Sequence, residues 1–264
     1  MLARIAAGEC DDRGNEICMD VGIDLLDAQK GNLEKHCETK KYVPAVHALG
    51  EAYMGMGNSR LAIKAFQKCL EWEPKDTSRA RDGLVASLLD EGRAGEARIL
   101  MASYQLDCST VFAYSRLLME YVAHFVLHEE DSSEELVKEA LKGAVTSNPF
   151  IAVFICGYEI FATVVECLED IKKTKSGSIE ECYVYCQKNI GVWMDTDGLR
   201  DWLAIQMGDF EEPVINDTHC TDVMFLRMYE TAVEMIKDQA ADIIEQENIE
   251  AEAVQETDRE NDKM

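Results

Sequence analysis

The stretch "YVPAVHALGEAYMGMGNSRLAIKAFQKCLEWEP", from Tyr42 to Pro74, decides the fold. Small residues stand in it at fixed offsets, with large apolar residues between them. Leu49 and Tyr53 lie four residues apart, on one face of a predicted helix. Gly50 and Ala62 are small enough to let the backbones of two helices approach closely. The stretch therefore predicts a pair of tightly packed helices.

Other residues of the stretch predict where the two helices begin and end. Gly57 and Asn58 both tolerate left-handed backbone conformations, so they predict the turn between the helices. Phe66 stands one turn beyond Ala62, where its ring fills the space beside the small residues. Pro74 ends the second helix because proline lacks the amide that a helix interior needs.

The order of these residues is that of the tetratricopeptide repeat, W-x2-L-G-x2-Y, then Ala-x3-Phe, then Pro. The matching positions are Val46, Leu49, Gly50, Tyr53, Ala62, Phe66 and Pro74, with valine in place of tryptophan. The resemblance implies an all-α fold, a tetratricopeptide-like α-α superhelix of helical hairpins with extra helices at the C-terminal side.

A second copy of the pattern follows the first by 35 residues. Leu84 and Leu88 correspond to Leu49 and Tyr53 of the first copy, and Gly92 corresponds to Gly57. Ala97 corresponds to Ala62, and Met101 corresponds to Phe66. Val85 replaces the packing glycine, so we expect the second pair of helices to lie slightly further apart. A neighbouring copy is what a repeat needs in order to bury its apolar face.

A third unit is looser. Its first helix is predicted over residues 111–128 and its turn over 129–135, with Ser132 or Ser133 as the N-cap. The second helix has Val137, Leu141 and Ala144 on one face and ends at Asn148-Pro149.

The remaining chain divides by composition. The apolar run 150–168 contains Glu159 and Glu166, so we expect a buried helix and no membrane span. "KSGS" after Thr174 predicts a flexible connector. Helices are predicted near 179–189 and 199–207, followed by a longer amphipathic helix over 223–243. A helix with Ile17, Val21 and Leu25 is predicted to cap the stack. The expected segments are 1–40 (N-terminal segment and capping helix), 41–148 (repeats), 149–210 (helical extension), 211–244 (amphipathic helix) and 245–264 (disordered acidic tail).

Charge and cysteine content limit the function and the location. The chain of 264 residues has 51 acidic and 26 basic residues, a net charge of -25. Such a chain repels phosphate backbones, so we expect no nucleic acid as a partner. No membrane partner is expected either, because no membrane span is predicted. Ten cysteines are scattered without a CxxC pair, which favours reduced, buried thiols. The start lacks a signal peptide's apolar region, so a cytoplasmic or nuclear location is expected.

The distal half is similar to a family of tetratricopeptide-like proteins related to suppressor of tumorigenicity 7. That family has motifs of the type N-P-H-V-P-x-Y-L, G-S/D-x-E-E-A-x-x-Y, a tryptophan, and T-P-G-A-x-x-W-L. The matching positions here are Asn148, Pro149, Phe150, Gly157, Tyr158, Gly177, Ser178, Glu180, Glu181, Tyr185, Trp193, Thr196, Gly198, Trp202 and Leu203. Ala152, Cys182 and Asp197 depart from the pattern. The resemblance spans roughly 34–207 and implies an interaction role without a catalytic residue.

The sequence lacks the common catalytic motifs, GxGxxG, GxxxxGK[ST], GxSxG and HExxH, so we predict no enzyme and no cofactor. His124 and His128 lie four residues apart, a spacing that suits a metal, and Cys182 and Cys186 share it. A metal- or thiol-dependent protein is therefore one alternative. A regulatory subunit that acts through its acidic tail is another. Trp193 and Trp202 are interpreted as core residues.

The favoured hypothesis is an interaction scaffold that binds a protein or peptide in the concave face of its repeats. The inward residues of the first helix are His47, Gly50, Glu51 and Met54. Some tetratricopeptide domains bind the acidic tails of chaperones through lysines and asparagines at such positions. Glu51 would repel a carboxylate, so we predict a basic or apolar partner and no chaperone tail.

Overall fold

The computed structural model describes residues 30–31, 41–165, 174–208 and 223–261. The chain divides into two compact units, residues 1–107 and 108–264. Within the described ranges every regular element is a helix. The predicted all-α class of tetratricopeptide-like hairpins with additional C-terminal helices is confirmed. The proposed capping helix lies outside the described residues.

The first unit contains two helical hairpins. Its helices are α1 (Tyr42–Gly55), α2 (Ser59–Trp72), α3 (Ala80–Asp90) and α4 (Ala94–Ala102). Gly57 and Gly92 form the two hairpin turns with φ angles of 67° and 68°, in the left-handed region that glycine favours. The Asn58 side chain caps α2 by accepting a hydrogen bond from the Leu61 amide at 3.3 Å.

The core of this unit is built around the ring of Phe66, which is fully buried. A Cβ atom added at Gly50 of α1 would stand 2.7 Å from Phe66 Cε1, and one added at Gly83 of α3 would stand 2.6 Å from Cε2. The ring is therefore held between two glycine backbones. Gly83, two residues before Val85, has no counterpart in the repeat pattern, and it lets α3 approach Phe66 of the first hairpin closely.

The other repeat-defining residues lie at or near this core. Those that are buried are Ala62, Leu84, Leu88, Ala97 and Met101. Leu49 and Tyr53 are half-buried, and Pro74 is exposed just after α2 ends at Trp72.

A buried ion network fixes the connection between the two hairpins. Asp76 accepts hydrogen bonds from the Ala80 amide at 2.6 Å and from Arg81 Nη1 at 2.7 Å. Arg81 Nε donates to Asp107 at 2.6 Å, and its guanidinium lies 5.1 Å from the Tyr104 ring centroid. The network joins the loop before α3 to the chain after α4.

Among the described residues, the second unit begins with the third hairpin and continues through five more helices. Its elements are α5 (Thr110–Tyr121), a π-helical turn (Val122–Val126), α6 (Glu134–Ser147), α7 (Pro149–Cys156), α8 (Tyr158–Val165), α9 (Ile179–Asp195), α10 (Leu199–Gly208) and α11 (Val223–Asn261). Ser133, one of the two predicted caps, accepts from the Leu136 amide at 3.3 Å. The predicted apolar face of α6 is buried.

Two expectations for this unit are wrong. The apolar run that begins at Phe150 forms two helices rather than one, since α7 ends at Cys156 and α8 begins at Tyr158. Gly157 lies between them, and a Cβ atom there would stand 3.1 Å from Ala232. The acidic residues from Glu245 to Asn261 continue α11, where a disordered tail was expected. Alanine, glutamate and glutamine all favour helix, and this segment is rich in them.

The amphipathic pattern of α11 packs as predicted where its side chains are described. Tyr229, Val233, Ile236 and Ala240 are buried, and Ile243 is half-buried. Across the described residues, none of the helices combines the length and the apolar character that crossing a membrane requires.

Candidate partner-binding face

Three side chains of α1 line the candidate face: His47, Glu51 and Met54. Each is half-buried, and their spacings of four and three residues place them along one side of the helix. The His47 ring meets the Phe66 ring edge-on, with 5.4 Å between the ring centroids. The face is therefore built directly on the packed core of the first hairpin.

Gly50, the fourth candidate, is buried beneath the face. Its backbone contacts the Phe66 ring, and a side chain at this position has no space. Its role in the structure is to let α1 and α2 approach closely.

The first helix of the next hairpin, α3, has its own residues at the positions that correspond to the face on α1. In the 35-residue register the counterparts of His47, Glu51 and Met54 are Asp82, Ala86 and Leu89. Asp82 accepts hydrogen bonds from Arg79 Nε at 2.6 Å and Nη2 at 3.1 Å. Burial raises the pKa of the Asp82 carboxyl, and the neighbouring Arg79 offsets part of that rise. Ala86 is buried, so α3 contributes the half-buried Asp82 and Leu89 at these positions.

The histidine pair is not arranged as a metal site. The π-helical turn carries His124, while His128 lies beyond it with a left-handed φ of 51°. His128 Nδ1 is 3.1 Å from the backbone oxygen of His124, and His124 Nδ1 is 3.3 Å from Ser132 Oγ. In the part of the chain that the structure describes, no group of three His, Cys, Asp or Glu side chains is placed to hold a metal ion.

The thiols that the structure describes are mostly buried. Cys69, Cys156, Cys182 and Cys186 are buried, and Cys108 is exposed. Burial raises the pKa of Cys69 and that of Cys156 to about 12. Burial also raises the pKa of Cys182 well above its usual value, and the adjacent Cys186 thiol adds to the rise. Thiols with raised pKa values are poor nucleophiles and poor metal ligands at neutral pH.

The residues of the distal motifs form a buried polar junction. Asn148 Nδ2 donates to the Ser178 oxygen at 2.9 Å and to Glu181 Oε2 at 3.1 Å, and its Oδ1 accepts from the Phe150 amide at 3.1 Å. The same Glu181 oxygen accepts from the Gly177 amide at 2.8 Å. The connector "KSGS", expected to be flexible, is therefore fastened to the start of α7.

Aromatic residues of the same motifs pack against other helices of this unit. Trp193 is fully buried and donates from Nε1 to the Tyr185 hydroxyl at 2.9 Å. Trp202 is half-buried, with its ring centroid 5.5 Å from that of Tyr121. The Tyr121 hydroxyl in turn donates to the Asp197 oxygen at 3.2 Å. These motif residues hold helices together.

Sequence reasoning overlooked the ion network of Asp76, Arg81 and Asp107. Asp76 had a detectable signal, because an aspartate just before an apolar helix is a typical capping residue. The partner Asp107 lies 26 residues beyond Arg81, and local patterns do not show a contact at such a separation.

The comparisons with known proteins support a tetratricopeptide repeat in the first hairpin. A family model described as a tetratricopeptide repeat matches residues 43–76, which cover nearly all of α1, all of α2 and the following loop to Asp76. The comparison with curated proteins and the comparison with solved structures found no match. The repeat is thus what this segment is similar to, in sequence as well as in its packing.

Proposed function

We propose that the protein is a non-catalytic scaffold that binds another protein or peptide through its repeat hairpins. The observation that carries the proposal is the match of residues 43–76 to the tetratricopeptide repeat, whose members generally bind proteins. The partially accessible side chains on one side of α1, His47, Glu51 and Met54, support this face as the contact surface.

The chemistry of the face favours a basic or apolar partner. Glu51 and, on α3, Asp82 provide carboxylates, and Met54 offers a flexible apolar side chain that adapts to varied shapes. An acidic peptide would meet repulsion from these groups and from the net charge of -25. A chaperone tail is therefore not the partner class that we propose.

We also propose that the chain is a relative of the family related to suppressor of tumorigenicity 7. Support comes from the order of its distal motifs and from the junction in which Asn148, Ser178 and Glu181 are joined by hydrogen bonds. A junction of this kind gives a physical reason for the motif residues without assigning them any chemistry. The buried free thiols favour a reducing compartment, so the cytoplasm is the proposed location.

Affinity capture with matched variants tests the proposed function. The double variant Glu51→Lys/Met54→Ser changes the charge and the apolar contact of the face, and Lys64→Glu changes an exposed residue of α2. We expect the wild-type chain and Lys64→Glu to retain the same partner, and the double variant to lose it. Capture of no specific partner by correctly folded protein, or equal capture by all three, would contradict the proposal.

A further inference from the structure

A second surface lies at the tip of the third hairpin, in the unit formed by residues 108–264. Val126 and Leu127 end its first arm, and Leu136 lies in the first turn of α6. Their exposed fractions are 47%, 58% and 43%. Three large apolar side chains left in water at one end of a hairpin mark a site of interaction more often than isolated ones do.

The backbone of this tip has an unusual and well-fixed form. The chain leaves α5 through the π-helical turn, in which the Leu127 amide donates to the Val122 oxygen at 2.9 Å. The loop is closed because Ser132 Oγ donates to the Glu129 oxygen at 2.5 Å and Ser133 Oγ accepts from the Leu136 amide. π-helical turns occur frequently at functional sites, and a closed loop presents its side chains with little loss of entropy on binding.

Aromatic packing supports the tip from below. Phe125, which precedes the exposed residues, is half-buried. Its ring centroid lies 4.9 Å from that of Tyr121 and 5.9 Å from that of Trp202. The apolar side chains therefore stand on a rigid base, as the anchor residues of protein interfaces commonly do.

Acidic residues stand next to the apolar ones in the chain. From Val126 to Lys138 the chain holds five acidic residues and one lysine. The acidic residues are all exposed: Glu129, Glu130, Asp131, Glu134 and Glu135. Lys138 pairs with Glu134 at 2.6 Å, so the tip has a clear excess of negative charge.

We propose that this hairpin-tip surface, Val126, Leu127 and Leu136 with the five neighbouring acids, docks a basic amphipathic segment of a second protein. Apolar side chains of the segment would cover Leu127 and Leu136, and its lysines or arginines would lie against the carboxylates. A second copy of this chain carries a net charge of -25 and would be repelled, as would an anionic membrane. This inference is independent of the α1 face, which lies in the other unit.

The test uses the whole chain and a defined probe. The probe is a fluorescent helical peptide of about 14 residues, made of leucine and lysine in amphipathic order, with a leucine–glutamate peptide as reference. We expect the lysine peptide to bind, with an affinity that falls as salt is raised, and the glutamate peptide to bind at least about tenfold more weakly. In Leu127→Ser/Leu136→Ser the affinity for the lysine peptide should fall by about tenfold or more.

Two further variants distinguish binding at the hairpin-tip surface from general electrostatic attraction of the lysine peptide to the acidic chain. Ile99→Ser removes an apolar residue of the other unit that is 72% exposed, and it should leave the affinity unchanged. Glu130→Lys/Asp131→Lys changes only exposed loop charges, so it tests the site without altering the apolar contacts. Failure of the lysine peptide to bind at low salt, unchanged affinity in either double variant, or an equal loss in Ile99→Ser would overturn the proposal.

Discussion

The ring of Phe66 lies directly on the backbone of Gly50, so closely that a methyl group at residue 50 would stand 2.7 Å from Cε1. A Cβ atom at Gly83 would also stand 2.6 Å from Cε2 of the same ring, so the fully buried ring is crowded at two positions. We therefore expect Gly50→Ala to destabilise the protein by about 1–3 kcal/mol, since overpacking outweighs the gain in helix propensity. The free energy of unfolding from urea denaturation measures this.

Gly55 provides the matched control, because it ends the same helix and a Cβ atom there meets nothing within 4 Å. Gly55→Ala should leave stability unchanged or raise it by up to about 1 kcal/mol. If Gly50→Ala and Gly55→Ala change the free energy of unfolding equally, the close contact with Phe66 is not the reason that residue 50 is glycine.

Asp76 is the acceptor at the centre of the ion network, and only 1% of its side chain is exposed. Asp76→Ala leaves the Ala80 amide and the Arg81 guanidinium without this partner. We expect a loss of about 2–4 kcal/mol, the lower part of the range for a buried pair because Arg81 is partly exposed. Thermal or urea unfolding measures the loss.

The pair Arg93–Glu96 serves as the comparison, with a distance of 2.7 Å but side chains that are 40% and 51% exposed. Water screens such a pair, so Glu96→Ala should change stability little. A similar loss in both variants would contradict the structural role of the buried network.

Asn148 donates and accepts at once, so its replacement by aspartate is a sensitive test of the junction. Asn148→Asp keeps the acceptor for the Phe150 amide but removes the donor and sets a carboxylate against Glu181. We expect a cost of about 2–4 kcal/mol in the free energy of unfolding. Asn58→Asp, at an exposed cap where aspartate serves equally well, should change it by less than about 0.5 kcal/mol. If both replacements change the free energy of unfolding equally, the hydrogen bonds that Asn148 donates to Ser178 and Glu181 do not stabilise the protein.

The buried thiols predict a dependence on pH. Because burial raises the pKa of Cys69 and Cys156 to about 12 from an ordinary value of 9.0, these thiols stay protonated in the folded protein when the unfolded chain ionises. Their contribution to stability is present below about pH 9 and is lost as the pH rises towards 12.

Alkylation followed by peptide mapping checks the same groups. Exposed Cys108 should react at neutral pH, while Cys69 and Cys156 should stay unmodified up to about pH 9 until the protein is unfolded. Rapid alkylation of Cys69 in folded protein would contradict its burial.

The sequence was informative where the pattern is local. The two hairpins of the first unit could be predicted because small residues, turn glycines and a proline recur at fixed spacings. Gly83 escaped notice because its partner, Phe66, belongs to the preceding hairpin. The close packing at Gly157 was missed for a similar reason, since it involves Ala232, far along the chain.

The candidate site was less predictable than the fold. Spacing alone placed His47, Glu51 and Met54 on one side of α1, but it did not separate them from Gly50, which is buried against a ring. The hairpin-tip surface depends on a π-helical turn, for which the sequence has no simple signal. His124 and His128 looked like a metal pair only under the assumption of a regular helix.

Photo-crosslinking from residue 54 tests the central claim most directly. A photoreactive amino acid in place of Met54 lies on the α1 face, and the same amino acid in place of Lys64 lies exposed on α2. The account predicts an adduct with one specific partner protein from residue 54 and none from residue 64. Adducts from residue 64 alone, or from both positions equally, would contradict binding at the α1 face.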